Sequence, residues 1–158
     1  MAPFIHLDGD APRLSRSTRR RLRDAENLIR QRGIYREIRF DYDRRHIAGL
    51  RRAITAAYKT RNLDAGRPID LAAWKATHER ATVMATLWLD GRIAAWDLAA
   101  PDPPGYLILA GQMVPGFDEY EPGRMLEKAL IEYVLADPAY LWIDWGSPEH
   151  AGTLIAVS

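Results

Sequence analysis

The dipeptide Asp90-Gly91, which separates two apolar segments, constrains the fold more than any other feature of the sequence. Residues 82–89 and 92–99 are rich in aliphatic, aromatic and β-branched side chains, and an Asp-Gly pair between two such runs is typical of a β-hairpin turn. A third apolar run, residues 106–113, follows the turn sequence PDPPG. The three runs predict an antiparallel three-stranded meander at the centre of the chain.

Helix and strand patterns alternate on both sides of this meander. Apolar spacing predicts helices over residues 16–32, 43–61, a short segment capped by Asp70, and about 122–136. Strands are predicted at residues 4–7, 34–40 and 140–145, with a loop at 62–69 and an edge strand at 153–157. Because crossover connections are right-handed, we expect strand 140–145 to lie parallel beside 106–113, with the intervening helix beginning beside the strand ends.

Composition excludes several classes of protein. Cys is absent and the four His residues lie far apart in the sequence, so disulfides and thiolate sites are ruled out and we expect no metal. The sequence has no apolar run of about 18–20 residues, which a transmembrane helix needs, and no secretory leader pattern at its start. The 158 residues therefore predict one cytoplasmic domain without a membrane partner.

The basic residues are concentrated in the first third of the chain. Residues 13–52 contain fourteen Arg and five acidic residues, so the formal net charge of +1 combines a segment of +9 with a remainder of −8. Arg binds phosphate bidentately, and such asymmetry indicates a polyanion partner; a solvated helix face and a membrane surface are the alternatives. The expected phosphate-contacting residues are Arg16, Arg19, Arg20, Arg21 and Arg23.

Three stretches carry a family resemblance. They are FIHLDGD with LSRSTRRRLRDAENLI, the hairpin LWLDGRIAAWDLA, and FDEYEPGRMLEKALIEYVL with YLWIDWGSPE. Together they resemble the GNAT N-acyltransferase fold and, within it, the Fem-like aminoacyl-tRNA-dependent peptidyltransferases. The resemblance covers most of the chain. It implies a single GNAT-like acyltransferase domain over residues 1–158, of α/β (α+β) class, with a mixed, mostly antiparallel sheet flanked by helices.

The resemblance also implies a function. Enzymes of this kind transfer an aminoacyl group from tRNA to the amine of a peptidyl or small-molecule acceptor, forming a peptide bond without a further cofactor. Single-domain relatives resemble the transferases of pacidamycin-type antibiotic biosynthesis, and other Fem-like enzymes act on cell-wall peptides. Two departures stand out: Fem-like ligases carry two such domains, and the family's Tyr-Lys pair after Asp-x-Gly is missing from residues 147–151. We expect a monomer or homodimer.

The segment before the predicted helix at 122–136 bears on the donor. GNAT enzymes that use acetyl-CoA place a Q/R-x-x-G-x-G/A loop there, and its amides bind the pyrophosphate. Residues 118–124 instead contain one Gly, a Pro at 122 that removes an amide, and three acids; carboxylates near a pyrophosphate weaken its binding. The alternatives to a tRNA donor are an acyl-CoA-dependent acetyltransferase on a small amine and a non-catalytic nucleic-acid-binding module.

Candidate site residues cluster near this helix and the last strand. Gly123 and Arg124 are expected to receive a terminal phosphate, because helix N-termini bind anions, although both also fit a simple helix start. Asp118, Tyr120, Asp144 and His150 are the catalytic candidates, as bases or as an oxyanion donor, and a solvated loop, packing or a surface position are their alternatives. The expected acceptor pocket comprises Trp88, Trp96, Glu119, Trp142 and Trp145, with core filling as the alternative for the tryptophans.

Overall fold

The computed structural model describes residues 4–6, 15–41 and 44–144 of the chain. These residues form six strands, four helices and one short 3-10 turn. In chain order they are β1 (Phe4–His6), α1 (Arg16–Gln31), β2 (Arg36–Asp41), α2 (Arg44–Asp64), α3 (Leu71–Arg80), β3 (Val83–Leu89), β4 (Arg92–Asp102), β5 (Gly105–Met113), the 118–120 turn (Asp118–Tyr120), α4 (Pro122–Leu135) and β6 (Trp142–Asp144).

The strands form one mixed sheet in the order β1-β6-β5-β4-β3-β2. The pairs β2–β3, β3–β4 and β4–β5 are antiparallel. Asp90 and Gly91 both have positive φ, 47° and 76°, as a type I′ hairpin turn requires. β6 lies parallel to β5. The mostly antiparallel sheet and the parallel pair joined by a crossover helix are therefore confirmed.

The basic helix α1 has clear start and stop residues. The Ser15 side chain accepts a hydrogen bond from the Thr18 backbone N–H at 3.2 Å, which caps the helix N-terminus. Gly33 adopts φ +63° just after the helix, the left-handed conformation that commonly ends one. Leu22 and Ile29 are buried, so the helix turns its apolar face to the sheet and its arginines to solvent.

Helices cover the two faces of the sheet. On one face, which we call the α4 face, α1 and α4 pack on the sheet, with Leu126 buried against the cluster that includes Leu87. On the other, the α2 face, α2 and α3 bury Ile54 and Trp74 with Trp96. Because successive strand residues point to opposite faces, each strand contributes to both cores.

Two elements are longer than the sequence predicts. α2 continues to Asp64, into the predicted loop; Asn62 is buried, so packing holds the last turn in place. β4 continues past Ala99 to Asp102. Its residue Pro101 is accommodated because β3 pairs with β4 only as far as Ala99, leaving Pro101 with β5 as its single neighbour.

Candidate functional site

At the carboxyl end of β5, one face of the sheet contacts α4 and the other borders a cavity. Met113, its last residue, contacts the first turn of α4: a Cβ built on Gly123 would lie 3.0 Å from the Met113 Cγ. Val114 donates its backbone N–H to the Ala94 carbonyl at 2.8 Å and lines a cavity on the α2 face. Beyond Leu107, β5 has no β6 partner within the described residues. The helix thus begins beside the strand end, as predicted.

The head of α4 is occupied by its own charges. Glu121 takes a left-handed conformation, φ 48° and ψ 47°, and makes no side-chain capping hydrogen bond. Pro122, at the start of the helix, has no N–H to offer a ligand. The Arg124 guanidinium donates to the Glu121 carboxylate. The predicted phosphate-binding Arg124 is therefore charge-compensated, and the head of α4 presents few free donors to a pyrophosphate.

The 118–120 turn is tied to α1 by one arginine. Arg32 donates to the Glu119 Oε1 at 2.7 Å and to the Tyr120 hydroxyl at 2.6 Å. The hydrogen bond from Arg32 lowers the pKa of the Glu119 carboxyl, and the same bond raises the pKa of Arg32. The Tyr120 hydroxyl also interacts with the Glu119 carboxylate and lowers its pKa further, so its hydrogen can reach a ligand only by leaving Glu119.

Asp118, the other acid of this turn, stands apart from these contacts. Its side chain is 71% exposed and its Oδ1 lies 4.0 Å from the Arg61 Nη1 near the end of α2. An exposed pair at this distance is weak. Asp118 is therefore an accessible carboxylate rather than part of a preformed catalytic pair with Tyr120.

Five arginines of α1 form a continuous stripe on the solvent side of the helix. At about 100° per residue, their positions fall within one arc of about 100°, opposite the buried face. The side chains are exposed, and none makes an ion pair with an acid in the described part of the chain. We call this set the Arg stripe: Arg16, Arg19, Arg20, Arg23 and Arg30.

Arg21 lies off the stripe, in a groove between α1 and the 118–120 turn. The groove has a volume of about 490 Å³, and its other polar walls include Asn27, Gln31, Glu119 and Glu121. Arg21, predicted to contact phosphate, and Glu119, predicted to contact an acceptor, are thereby brought to one surface beside the head of α4.

Trp88 and Trp96 line a single cavity on the α2 face, which we call the α2 cavity. Its volume is about 330 Å³. Trp96 is 1% exposed, and the Trp88 indole N–H donates to the Thr86 hydroxyl at 2.9 Å. The other lining residues are Leu50, Ile54, Ala57, Arg92, Ile93 and Val114. Two of the predicted acceptor-pocket residues, Trp88 and Trp96, therefore line the same cavity.

The remaining predicted residues lie elsewhere. Trp142 contacts Gly105, at the opposite end of β5 from the α2 cavity: a Cβ on Gly105 would lie 2.6 Å from the Trp142 Nε1. Asp144 pairs with Leu107, the last position at which β5 and β6 are joined. Trp145 and His150 lie outside the described residues, as does the predicted edge strand at 153–157.

The model of one protein family matches most of the chain. It is described as an acetyltransferase (GNAT) domain and aligns with residues 16–151, from the first residue of α1 to beyond β6. The chain belongs to the GNAT family. The GNAT domain therefore has the fold that its sequence resemblance implied, and it is an acyltransferase domain by family.

A solved structure supports the same fold. The C-terminal domain of a protein assigned as a lysylphosphatidylglycerol synthetase from Agrobacterium fabrum aligns with 92% of this chain at a TM-score of 0.57 and 10% identity. At that identity the likeness concerns the fold alone. This chain spans 45% of that chain, less than half of its length. No curated protein matches the sequence.

Sequence reasoning missed a carboxylate in the middle of the sheet. Asp97 of β4 is opposite Gly111 of β5, and a Cβ built on Gly111 would fall on the Asp97 carboxylate. Gly111 shares a face with Met113, which touches α4, so Asp97 lies on the α4 face near the helix head. The side chain that approaches this interior glycine is that of Asp97.

Two further properties of the GNAT domain concern metals and membranes. Among residues 4–6, 15–41 and 44–144, no three His, Asp or Glu side chains are grouped so that they could hold a metal ion. Within the same residues, no helix is long and apolar enough to cross a membrane.

Proposed function

We propose that the chain is an aminoacyl-tRNA-dependent N-acyltransferase. The observation that carries the proposal is the Arg stripe, a set of exposed and uncompensated guanidinium groups on the helix that contacts the 118–120 turn at the head of α4. From Arg16 to Arg30 the stripe extends about 21 Å along the helix, enough to meet several phosphates of one nucleic-acid duplex. The fold neighbour's name, lysylphosphatidylglycerol synthetase, also refers to an aminoacyl product.

The head of α4 favours this donor over CoA. A CoA pyrophosphate needs several free amides, whereas Pro122 lacks one, and Glu121 and Arg124 neutralise each other. An aminoacyl-tRNA ends in a single sugar-phosphate chain and carries an ammonium group on its amino acid. Asp118, an exposed carboxylate of the same turn with only a weak contact to Arg61, suits that ammonium through charge complementarity.

The proposed reaction exchanges an ester for an amide. The acceptor ammonium first loses a proton to a carboxylate or to water, and its nitrogen then attacks the ester carbonyl. The new C–N bond forms, the ester C–O bond breaks, and the second proton of the amine passes to the leaving ribose oxygen. Tyr120 would donate to the tetrahedral oxyanion. Asp97 and Asp118 are the carboxylates proposed as proton acceptors. Asp144 is not, because it lies opposite Leu107, roughly 20 Å along β5 from Met113.

The second candidate function is acetyl transfer from acetyl-CoA to a small amine, and the family match favours it because the matching model is described as an acetyltransferase domain. It would use the same end of β5. A non-catalytic tRNA-binding module, the third possibility, would bind through the Arg stripe without forming product.

A donor assay separates these functions. The purified chain is incubated with labelled aminoacyl-tRNA or labelled acetyl-CoA and a mixture of free amino acids, and amide products are separated by chromatography. We expect product from aminoacyl-tRNA and none from acetyl-CoA. Product from acetyl-CoA alone would establish the second function, and tRNA binding without product would establish the third.

A matched pair of tyrosine variants tests the site. Tyr120→Phe removes the proposed oxyanion donor, and loss of one such donor lowers the turnover number by about 10²-fold or more, while tRNA binding should be unchanged. Tyr35→Phe, at a side chain that is 67% exposed, is the control. Equal rates for both variants would remove Tyr120 from the mechanism.

A further inference from the structure

The α2 cavity has the size and surface of a binding site for one small molecule. Its volume of about 330 Å³ lies at the lower end of the range of roughly 300–1,000 Å³ typical of ligand pockets. Its described walls are almost wholly apolar, formed by aliphatic side chains of α2 and by the rings of Trp88 and Trp96. A group that fills it must therefore be apolar and compact.

One charged side chain lines the cavity among the described residues. Arg92 is exposed, and its guanidinium carbon lies 5.0 Å from the centre of the Phe117 ring, just before the 118–120 turn. No described carboxylate lies within ion-pair distance of Arg92. The cavity thus has an apolar interior and one cation at its rim, whose guanidinium rests on Phe117 of the α4-face cluster. A guanidinium fork matches a carboxylate, so this exposed side chain would turn toward one bound in the cavity.

The cavity also lies at the place where an acceptor is needed. Val114 lines it, and the preceding residue, Met113, contacts Gly123 at the head of α4. A ligand in the cavity and a donor at the head of α4 would therefore approach the same strand end from opposite faces of the sheet.

We propose that the α2 cavity binds an α-amino acid with an apolar side chain, which serves as the amine acceptor. The side chain fills the space between α2 and the tryptophans, and the carboxylate pairs with Arg92. The remaining substituent of the α-carbon, the amine, is directed to the end of β5. The choice of acceptor rests on the proposed function; the binding of the amino acid does not.

Binding is measured on the full chain without tRNA, by titration calorimetry and by tryptophan fluorescence. The probes are L-leucine, L-phenylalanine, L-phenylalaninamide, L-aspartate and L-lysine. We expect leucine and phenylalanine to bind, the amide to bind about tenfold more weakly because it lacks the charge-assisted hydrogen bonds, and aspartate and lysine not to bind. An amide that binds as tightly as phenylalanine would overturn the proposal, as would an absence of leucine and phenylalanine binding at millimolar concentrations.

Two variants test the geometry. Ala57→Phe fills the cavity and should abolish binding, whereas Leu63→Phe, at an exposed position of the same helix, should not. Arg92→Gln should erase the tenfold preference for phenylalanine over its amide. If Ala57→Phe fails to fold, the test rests on Arg92→Gln, because Arg92 is exposed. A tenfold preference for phenylalanine over its amide that remains in Arg92→Gln contradicts the proposal. A chain that binds leucine but ignores aminoacyl-tRNA would keep this inference and lose the proposed donor.

Discussion

At the end of β5, one face of the sheet presents mainly charged groups and the other presents mainly apolar surface. The α4 face carries the Arg stripe, the groove beside the 118–120 turn and the compensated pair of Glu121 and Arg124. The α2 face offers an apolar cavity with one cation at Arg92. Long-range Coulomb attraction is weakened by salt, whereas apolar burial depends on area and shape. One strand end is thus suited to two unlike substrates.

The arginines themselves divide in the same way. Those outside the Arg stripe include several with acid partners: Arg32 with Glu119, Arg39 with Glu37 and Arg124 with Glu121. The stripe has none among the described residues. A compensated guanidinium adds little to the field felt by a polyanion, so position and pairing, rather than the number of arginines, define the expected nucleic-acid surface.

Salt should separate the two faces most strongly. If the five arginines of the stripe each neutralise a phosphate, tRNA affinity should fall on the order of 10²-fold between 50 and 200 mM salt. Amino-acid binding in the α2 cavity should change much less, because burial of its side chain is insensitive to screening. Fluorescence anisotropy of labelled tRNA and calorimetry with leucine provide the two measurements. A tRNA affinity that does not respond to salt would remove the polyelectrolyte role of the α4 face.

Removing part of the stripe should reduce that salt dependence in proportion. Changing Arg16, Arg19, Arg20 and Arg23 together to Gln should lower the log–log salt slope by about 3 to 4. The matched control is the pair Arg36→Gln and Arg39→Gln, whose side chains already face Glu26 and Glu37. If the control lowers the salt slope per arginine as much as the stripe variant does, ion pairing with an acid does not determine which arginines contact tRNA.

Within the sheet, the close approach of Asp97 to Gly111 should have a measurable effect on the free energy of unfolding of a Gly111 variant. The added methyl group of Gly111→Ala meets the Asp97 carboxylate, and overpacking of this kind costs roughly 1–3 kcal/mol. The same change in an Asp97→Ala background should cost less, because the obstructing carboxylate is gone. Urea unfolding of the four proteins gives the coupling energy. Equal costs in both backgrounds would show that the carboxylate is not the obstacle.

The order of the strands and helices could be predicted from the sequence because its signals are local. Asp90-Gly91 defines the hairpin, Ser15 and Gly33 bound α1, and the crossover rule places β6 beside β5. The ends of α2 and β4 could not be predicted in this way. Burial of Asn62 and the missing β3 partner of Pro101 are consequences of tertiary packing, which local propensity does not contain.

The site was predictable in part for the same reason. Helix periodicity places the Arg stripe on one side of α1, and that needs no tertiary information. The partnership of Arg32 with Glu119 joins residues 87 positions apart. The pairing of Asp97 with Gly111 requires the exact register of β4 and β5, which a bulge between Leu98 and Ala99 shifts. The sequence alone does not show that Trp96 and Trp142 lie at opposite ends of β5, because that depends on the register of β4 and β6 against β5.

The smallest expected effect concerns the ion pair that joins α1 to the 118–120 turn. Arg32 lowers the pKa of Glu119 from an ordinary value of 4.5, so the folded state binds this proton less readily than the unfolded chain does. The stabilisation is complete above the unfolded pKa and is lost as pH falls through the lower, folded pKa. The Tm of the natural chain should therefore exceed that of Glu119→Gln by a small, constant amount above about pH 5.

Below that pH the difference in Tm should shrink toward zero as Glu119 is protonated. Because both side chains are about half exposed, moderate salt should also reduce it. The control is the same comparison in an Arg32→Gln background, where the main partner that lowers the pKa is absent and only the smaller effect of Tyr120 remains, so the difference should become smaller and depend less on pH. A difference that persists unchanged to pH 3, or that survives intact in the Arg32→Gln background, would mean that Glu119 stabilises the turn without Arg32.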